Sequence, residues 1–132
     1  EEGIMANKAI STKHAPGAIG PYSQGVKAGN TVYVSGQLGL VPETGEFAGE
    51  DIEAQTRQSL TNIRNILEAE GYSMNDVVKT TVLLKDINDF AAMNGVYGTF
   101  FTEGSYPARS AFQVVCVPKG GLLEIEAIAY KE

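Results

Sequence analysis

The stretch Asp51–Gly71, "DIEAQTRQSLTNIRNILEAEG", decides the fold class of this 132-residue chain. Its apolar residues recur at helical spacing, and four of them fall on one face: Ile52, Leu60, Ile63 and Leu67. Gly71 stands where a helix commonly ends on a residue with left-handed backbone angles. We therefore predict an amphipathic helix from about Asp51 to Glu70, whose apolar face must pack against a second layer.

Runs of β-branched and alternating residues on both sides of this helix predict that the second layer is a sheet. Before the helix, "NKAISTKH" indicates one strand, and "YSQGVKAGNTVYVSGQ" indicates two strands joined by a turn at Ala28–Asn30. After the helix, "DVVKTTVLL" indicates a fourth strand. The last third of the chain indicates two more strands, "ARSAFQVVCV" and "LLEIEAIAY", joined by the turn "PKGG".

A second helix is predicted within "KDINDFAAMNGVYGTFF", where four residues share one face: Phe90, Asn94, Tyr97 and Phe101. The resulting order, β, β-hairpin, α, β, α, β, β, is typical of an α+β domain with both helices on one face of a six-stranded sheet. We interpret Met5 as the natural start and residues 1–4 as an added remnant. Residues 5–132 are then expected to form a single domain.

Alternation assigns the side chains of the last two strands to the two faces of the sheet. On the final strand Glu124 and Glu126 face away from four apolar residues: Leu123, Ile125, Ala127 and Ala129. On the preceding strand Arg109 and Gln113 face away from four residues predicted to lie under the helices: Ser110, Phe112, Val114 and Cys116. Arg109 and Glu124 are thus expected on neighbouring strands and on the same side, and Cys116 is expected to be a core thiol.

The sheet face without helices is expected to carry apolar residues beside these polar ones. The apolar members are Tyr33, Ala111, Val115 and Val117. Two helices cannot cover both faces of the sheet, so this face would leave an apolar patch in water. A symmetric oligomer would cover it, and we predict one.

Charge and hydropathy exclude several classes of partner. Ten basic residues stand against sixteen acidic ones, a formal net charge of −6, and the basic residues form no cluster that would attract nucleic acid. No apolar run approaches the roughly 20 residues of a membrane span. The opening "EEGIM" lacks the basic and apolar regions of a secretory signal. We expect no nucleic-acid or membrane partner.

Cofactor and metal chemistry is excluded in the same way. One histidine, His14, and one cysteine, Cys116, cannot supply a zinc site or a convincing nucleophile and base pair. The glycines form neither a phosphate-binding GxxxxGK[ST] loop nor a dinucleotide-binding GxGxxG run. A single cysteine forms no intramolecular disulfide and suits a cytoplasmic protein. We expect neither a cofactor nor a metal.

Two charged residues near the ends of predicted strands are candidates for chemistry. Arg109 presents a planar fork of donors that fits a carboxylate, or it forms an ion pair with Glu124 or Glu126. Glu124 can orient or deprotonate a water molecule, or it lies in a salt bridge or on a solvated face. The residue pattern alone leaves both alternatives open.

Three polar residues could line the same site. Asn94 interrupts an aromatic stripe, and its amide either meets a ligand or is a structural hydrogen-bonding group. Ser35 ends the strand "VYVS" as a ligand contact or as a strand-terminating hydroxyl. Tyr22 in "GPYSQ" lines a site or covers the core.

Taken together, the motifs resemble the RidA family, also called YjgF, the reactive-intermediate imine deaminases. The resemblance runs from about Asn7 to Lys131 through "HAPGAIGPYSQG", "VYVSGQ", "DIEAQTRQSLTNI", "VVKTTVLLKDINDFAAMNGVYGTFF", "YPARSAFQV" and "EIEAIA". It implies a chorismate-mutase-like α+β fold with a mainly antiparallel sheet. It also implies a homotrimer with a central barrel and active-site clefts between subunits.

The resemblance further implies hydrolysis of 2-imino acids and their enamine tautomers to 2-oxo acids and ammonia, without a cofactor. Arg109 matches the arginine that binds the substrate carboxylate, and Glu124 matches the glutamate that positions the attacking water. The positions that line the cleft are matched by Tyr22, Ser35, Gly36 and Asn94.

One departure from the family pattern lies two residues after Arg109. Many bacterial members have cysteine there, whereas this chain has Ala111, whose backbone N–H is expected to contact the carboxylate. Two alternative functions stay open: a non-catalytic protein that binds 2-oxo acids, and the endoribonuclease or translation-inhibitor activity assigned to some relatives. The acidic net charge argues against the latter.

Overall fold

The computed structural model describes residues 6–132, in which six strands form one sheet. The strands are β1 (Lys8–Ile10), β2 (Gly25–Ala28), β3 (Thr31–Leu38), β4 (Val77–Leu84), β5 (Ala108–Gln113) and β6 (Leu123–Tyr130). Their order across the sheet is β1-β2-β3-β6-β4-β5, and every neighbouring pair except β4 and β5 is antiparallel. The predicted α+β class with a mainly antiparallel sheet is confirmed.

Two helices, α1 (Ile52–Glu68) and α2 (Phe90–Tyr97), lie on one face of this sheet. The α1 helix begins after Asp51, whose side chain accepts a hydrogen bond from the Ala54 N–H at 3.2 Å. Gly71, with φ +81°, lets the chain turn back so that the Tyr72 N–H donates to the Leu67 carbonyl. The four predicted apolar residues of α1 are all buried, so both its face and its end are confirmed.

The hairpin prediction is confirmed, whereas the prediction for the last two strands is wrong in its pairing. Strands β2 and β3 pair across a tight turn in which Gly29 has φ +63°. Strand β6, however, lies between β3 and β4, and β5 runs parallel to β4 at the edge of the sheet. The apolar face of β6 is at most 3% exposed, and that burial requires a central position.

The faces of β5 are the reverse of those predicted. Arg109 and Ala111 lie beside Thr80 and Val82 of β4, which are buried under the helices, and paired residues of neighbouring strands share a face. Ala111 accordingly packs against the core, whereas Phe112 is 49% exposed on the other face. Alternation defines two faces but does not say which of them the helices cover.

Beyond Gln113 the strand pattern does not hold. The predicted strand continues to Val117, but β5 ends at Gln113 and the chain then leaves the sheet. Cys116 is exposed, not a core thiol, and Val117 is buried. Leaving the sheet removes the alternation on which both predictions depended.

The face of the sheet opposite the helices, here called the open face, carries both apolar and acidic side chains. Alternation places both kinds on it, among them Tyr33, Leu83, Phe112, Glu124, Glu126 and Ile128. Tyr33 and Phe112 are about half exposed. An uncovered apolar face thus exists as predicted, but Ala111 and Val117 are not part of it, because one packs on the core and the other is buried.

One hydrophobic core lies between the helices and the sheet, and it draws on α1, α2 and the strands β1, β3, β4 and β6, whereas the edge strand β5 contributes only the partly buried Ala111. The interpretation of Met5 as the natural start falls outside the described residues, so the domain bounds stay a prediction. Within residues 6–132, no helix is both long enough and apolar enough to cross a bilayer.

Candidate functional site

Arg109 lies at the second position of β5, on the face of the sheet that the helices cover. Its guanidinium carbon is 4.8 Å from the centre of the Tyr97 ring and 5.3 Å from the centre of the Phe90 ring. One guanidinium nitrogen, Nη1, donates to Oδ1 of Asn94 at 2.6 Å. Stacking and this hydrogen bond fix the plane of the guanidinium while leaving most of its donors available.

The aromatic and amide groups that hold Arg109 come from a single helix. Phe90, Asn94 and Tyr97 recur on one face of α2, four and then three residues apart. The Tyr97 hydroxyl is hydrogen-bonded to Oγ1 of Thr80 at 2.7 Å. Burial raises the pKa of Tyr97, although the hydrogen bond to Thr80 and the charge of Arg109 oppose that rise. Tyr97 is therefore a neutral, fixed surface for the arginine.

A cavity of about 450 Å³ opens in front of this arginine, and we call it the arginine cavity. Its lining residues are Asn94, Tyr97, Gly98, Tyr106, Pro107 and Arg109. Within residues 6–132 no carboxylate lies within ion-pair distance of Arg109. Within one copy of the chain, the alternative of an ion pair with Glu124 or Glu126 is therefore wrong, because both glutamates lie on the open face.

A second cavity of about 540 Å³ surrounds Glu124, and we call it the glutamate cavity. It is lined by Pro16, Tyr22, Ser35, Gly36, Gln37, Leu38, Leu40, Pro118, Lys119, Glu124 and Glu126. Burial raises the pKa of Glu124, and the neighbouring charge of Glu126 raises it further. A carboxylate with a raised pKa is a stronger base than an ordinary glutamate.

Gly36 lies directly against this carboxyl group. A Cβ atom at position 36 would lie 2.8 Å from both Cδ and Oε2 of Glu124. Only glycine leaves room there, because such a distance is well inside van der Waals contact. Gly36 belongs to a bulge between Val34 and Gln37 in the pairing of β3 with β6.

Ser35 and Tyr22 lie at the wall of the same cavity. The Ser35 hydroxyl donates to the Ser23 carbonyl at 2.6 Å, which ties the end of β3 to the segment that carries Tyr22. Tyr22 is 53% exposed, so it does not cover the core. Its ring is free to meet a ligand or another molecule.

The structure therefore divides the predicted residues into two groups. Arg109 and Asn94 line the arginine cavity; Tyr22, Ser35, Gly36 and Glu124 line the glutamate cavity. Ala111 lies near the first group, on the helix side of β5. The expectation that Arg109 and Glu124 occupy neighbouring strands on one side is wrong, because β4 separates β5 from β6 and the two side chains project from opposite faces.

Comparison with known proteins identifies the family of this chain. The family model described as endoribonuclease L-PSP matches residues 12–131. A RutC family protein of Pyrococcus horikoshii is 59% identical over 93% of this chain and 97% of its own. The 2-iminobutanoate/2-iminopropanoate deaminase of Escherichia coli is 51% identical over 95% of this chain and 98% of its own. The chain belongs to the RidA/YjgF family.

A solved structure agrees with this RidA/YjgF assignment. Escherichia coli TdcF, crystallised with bound serine, is 48% identical and has a TM-score of 0.89. The match covers 95% of this chain and 99% of that chain. The six-stranded sheet with two helices described above is therefore the fold of the family.

Several residues of this RidA/YjgF chain that surround the two cavities were not predicted as site residues. Phe90 and Tyr97 lay in the predicted aromatic stripe, but nothing in the stripe indicated that β5 would bring Arg109 against it. Tyr106 and Pro107 line the arginine cavity. Because they directly precede the strand that carries Arg109, their position in the sequence could have indicated that they lie beside it. Glu126 and Lys119 also line the glutamate cavity. The order of the strands brings Glu126 there, and the turn before β6 brings Lys119 there.

Neither His14 nor Cys116 lines the arginine or the glutamate cavity. Across residues 6–132, no three side chains of histidine, cysteine, aspartate or glutamate come together as metal ligands would. The polar groups of the two cavities are those of Arg109, Lys119, two carboxylates, side-chain amides, hydroxyls and the backbone.

Proposed function

We propose that this protein hydrolyses small 2-imino acids, such as 2-iminobutanoate and 2-iminopropanoate, to 2-oxo acids and ammonia. These imines are tautomers of 2-aminocrotonate and 2-aminoacrylate. The proposal is supported by relatives named 2-iminobutanoate/2-iminopropanoate deaminase that are 51–52% identical over 95% of the chain. The observation that carries it is Arg109, an arginine fixed in a cavity without a described carboxylate partner.

Arg109 supplies the binding half of the proposed reaction. A guanidinium that packs against two rings and is anchored by Asn94 presents its free N–H groups as a fork, and the carboxylate of a 2-imino acid fits this fork. The bound acid end fixes the orientation of the adjacent imine carbon, which removes part of the entropic barrier. Asn94 acts here as a positioning residue for Arg109.

Glu124 supplies the hydrolytic half. Its carboxylate accepts a proton from a water molecule as the water oxygen attacks the imine carbon, and it passes this proton to the imine nitrogen, so that a carbinolamine forms. The carboxylate then takes the proton of the new hydroxyl and passes it to the amino group, the carbon–nitrogen bond breaks, and ammonia leaves as the carbonyl forms. One imine and one water thus give one 2-oxo acid and one ammonia, without an oxidant, reductant or cofactor.

We infer that the two halves come from two copies of the chain. Arg109 and Glu124 project from opposite faces of one sheet, so a single copy does not bring them together. The half-exposed Tyr33 and Phe112 give the open face an apolar surface that a second copy would cover. A homotrimer with three clefts between subunits satisfies both observations, and it would work as a soluble cytoplasmic enzyme.

The test generates 2-aminoacrylate with a serine dehydratase and follows the release of pyruvate. We expect the protein to accelerate this release, and Arg109→Ala to remove the acceleration. Arg64→Ala is the matched control, because Arg64 also lies over an aromatic ring, Phe100 at 5.6 Å, but lines neither cavity. Arg64→Ala is expected to keep the wild-type rate.

Four results would overturn the proposal. Pyruvate release that is not accelerated by wild-type protein would exclude the deaminase activity. Full acceleration by Arg109→Ala would exclude a role for Arg109 in that activity. Calorimetric binding of 2-oxobutyrate without turnover of any imine would favour a binding protein instead. RNA cleavage by the purified protein that Arg109→Ala abolishes would place a nuclease in this cavity.

A further inference from the structure

The segment that forms one wall of the glutamate cavity is held from behind by polar side chains of α1. This bulge segment comprises residues 35–40, and five of its six residues line the cavity, Gly39 being the exception. On its other side lies α1, whose buried face includes Gln55, Ser59 and Asn62 beside Leu60 and Ile63. Polar groups are costly to bury unless they are hydrogen-bonded, so their presence in this face calls for partners.

The partners of Ser59 and Asn62 are backbone carbonyls of the bulge segment. The Ser59 hydroxyl donates to the Gln37 carbonyl at 2.7 Å. Nδ2 of Asn62 donates to the carbonyls of Leu38 and Leu40, at 3.2 and 2.9 Å. Both side chains are fully buried, so these bonds are made where water does not compete for the carbonyls.

Gln55, Ser59 and Asn62 form a polar row along α1, and Gln55 connects this row to the strand that carries Glu124. Its Nε2 donates to the Gly49 carbonyl at 2.9 Å, and its Oε1 accepts from the Leu122 N–H, also at 2.9 Å. Leu122 directly precedes β6. The approach is close at Gly39 as well, since a Cβ there would lie 2.5 Å from the Gln55 carbonyl oxygen. The helix thus fixes the bulge segment and the start of β6 relative to each other.

We propose that Gln55, Ser59 and Asn62 are positioning residues that hold Gly36 and Glu124 in contact and so set the place of the attacking water. The inference rests on the proposed deaminase function and assigns part of its geometry to residues that do not touch the substrate. Arg109, in the other cavity, is outside the reach of this row. Loss of a member should therefore impair the hydrolytic half of the reaction more than substrate binding.

Thr56 provides a matched control within the same helix. It is fully buried one turn before Ser59, and its hydroxyl has no hydrogen-bond partner among the described residues. Thr56→Val and Ser59→Ala each remove one buried hydroxyl from α1. Only Ser59→Ala breaks a bond to the bulge segment, so the two variants separate a positioning effect from a general effect on the helix.

The first measurement does not depend on activity. The carboxyl of Glu124 is titrated by carbon-13 NMR in the assembled protein, with Glu124→Gln to assign its signal and to separate it from Glu126. A loosened bulge segment admits water, so Ser59→Ala is expected to move the midpoint down towards that of an ordinary glutamate. Thr56→Val is expected to leave it unchanged. An equal midpoint in wild type and Ser59→Ala would overturn the proposal.

The second measurement separates catalysis from binding. We expect Ser59→Ala to lower kcat about tenfold with KM changed less than about twofold, because misplacement of the water affects only the chemical step. Equal kcat values in Ser59→Ala and Thr56→Val would contradict positioning. If wild-type protein turns over no imine, the proposed function fails, and the NMR titration still decides the role of the row. Asn62→Ala gives a second variant for both measurements if Ser59→Ala does not fold.

Discussion

The arginine cavity and the glutamate cavity differ in how they hold their charged residue. Arg109 lies on an edge strand, against two aromatic rings and beside one amide. Glu124 lies on a central strand, against a glycine, with a second carboxylate beside it. The first environment orients a cation, whereas the second makes ionisation of a carboxyl less favourable. The two roles that we propose for these residues, substrate binding and proton transfer, thus fall in separate places on one chain.

The largest expected effect tests whether Arg109 of one subunit and Glu124 of another subunit form one site. Arg109→Ala and Glu124→Gln are each expected to lose at least about a hundredfold in kcat/KM. When the two inactive variants are unfolded together and reassembled, about a quarter of the clefts should contain both native residues, so about a quarter of wild-type activity should return. Each variant reassembled alone is the control. No recovery in the mixture would mean that both residues act from one subunit.

The contact between Gly36 and Glu124 gives the next largest effect. Gly36→Ala is expected to displace the carboxyl group and to lower kcat by about tenfold or more, because the new methyl group would overlap it. The fold should persist, since the overlapped atoms are at the end of a flexible side chain. Gly17→Ala is the control, because a Cβ at Gly17 would meet no atom within 4 Å. Unchanged kcat in Gly36→Ala would show that the close contact is not used.

The two cavities also differ in how far they could be predicted from the sequence. The α1 helix and the β2–β3 hairpin depend on local signals, a capping aspartate and two turn glycines, and both were predicted correctly. The faces of β5 depend on β4, which lies some 25 residues earlier and places Arg109 beside the buried Thr80. An apolar Phe112 next to a small Ala111 suggests the opposite orientation.

The environment of Glu124 depends even more on distant parts of the chain. Strand alternation made the glutamate a candidate and the family motif "EIEAIA" gave it a role, but its burial comes from a bulge about 90 residues earlier. The polar row on α1 was overlooked because Gln55, Ser59 and Asn62 look like an ordinary solvated face between apolar positions. Only the position of β3 reveals that they are buried.

The acidic pair in the glutamate cavity predicts a smaller effect, on the pH dependence. The charge of Glu126 raises the pKa of Glu124, so Glu126→Gln should lower that pKa. If Glu124 acts as a base, the acidic limb of kcat/KM should then move to lower pH, by less than about one unit. Glu103→Gln, an equal change of net charge at an exposed position in the loop before β5, should leave the limb in place. A shift to higher pH would contradict the base role.

The smallest expected effect concerns the hydrogen bond between Tyr97 and Thr80 at the arginine cavity. Tyr97→Phe keeps the ring under Arg109 but removes the hydrogen bond to Thr80, and it leaves the buried Thr80 hydroxyl without that partner. We expect a loss of about 1 kcal/mol in the free energy of unfolding, measured by urea denaturation, and a kcat/KM within about twofold of wild type because the stacking surface remains. The double variant Tyr97→Phe with Thr80→Val should recover most of the lost stability, since it removes the unpaired hydroxyl as well. A large fall in kcat/KM for Tyr97→Phe would mean that the hydroxyl, not the ring, positions Arg109. In that case both cavities would depend on hydrogen bonds to position their charged residue, and stacking would not distinguish the arginine cavity.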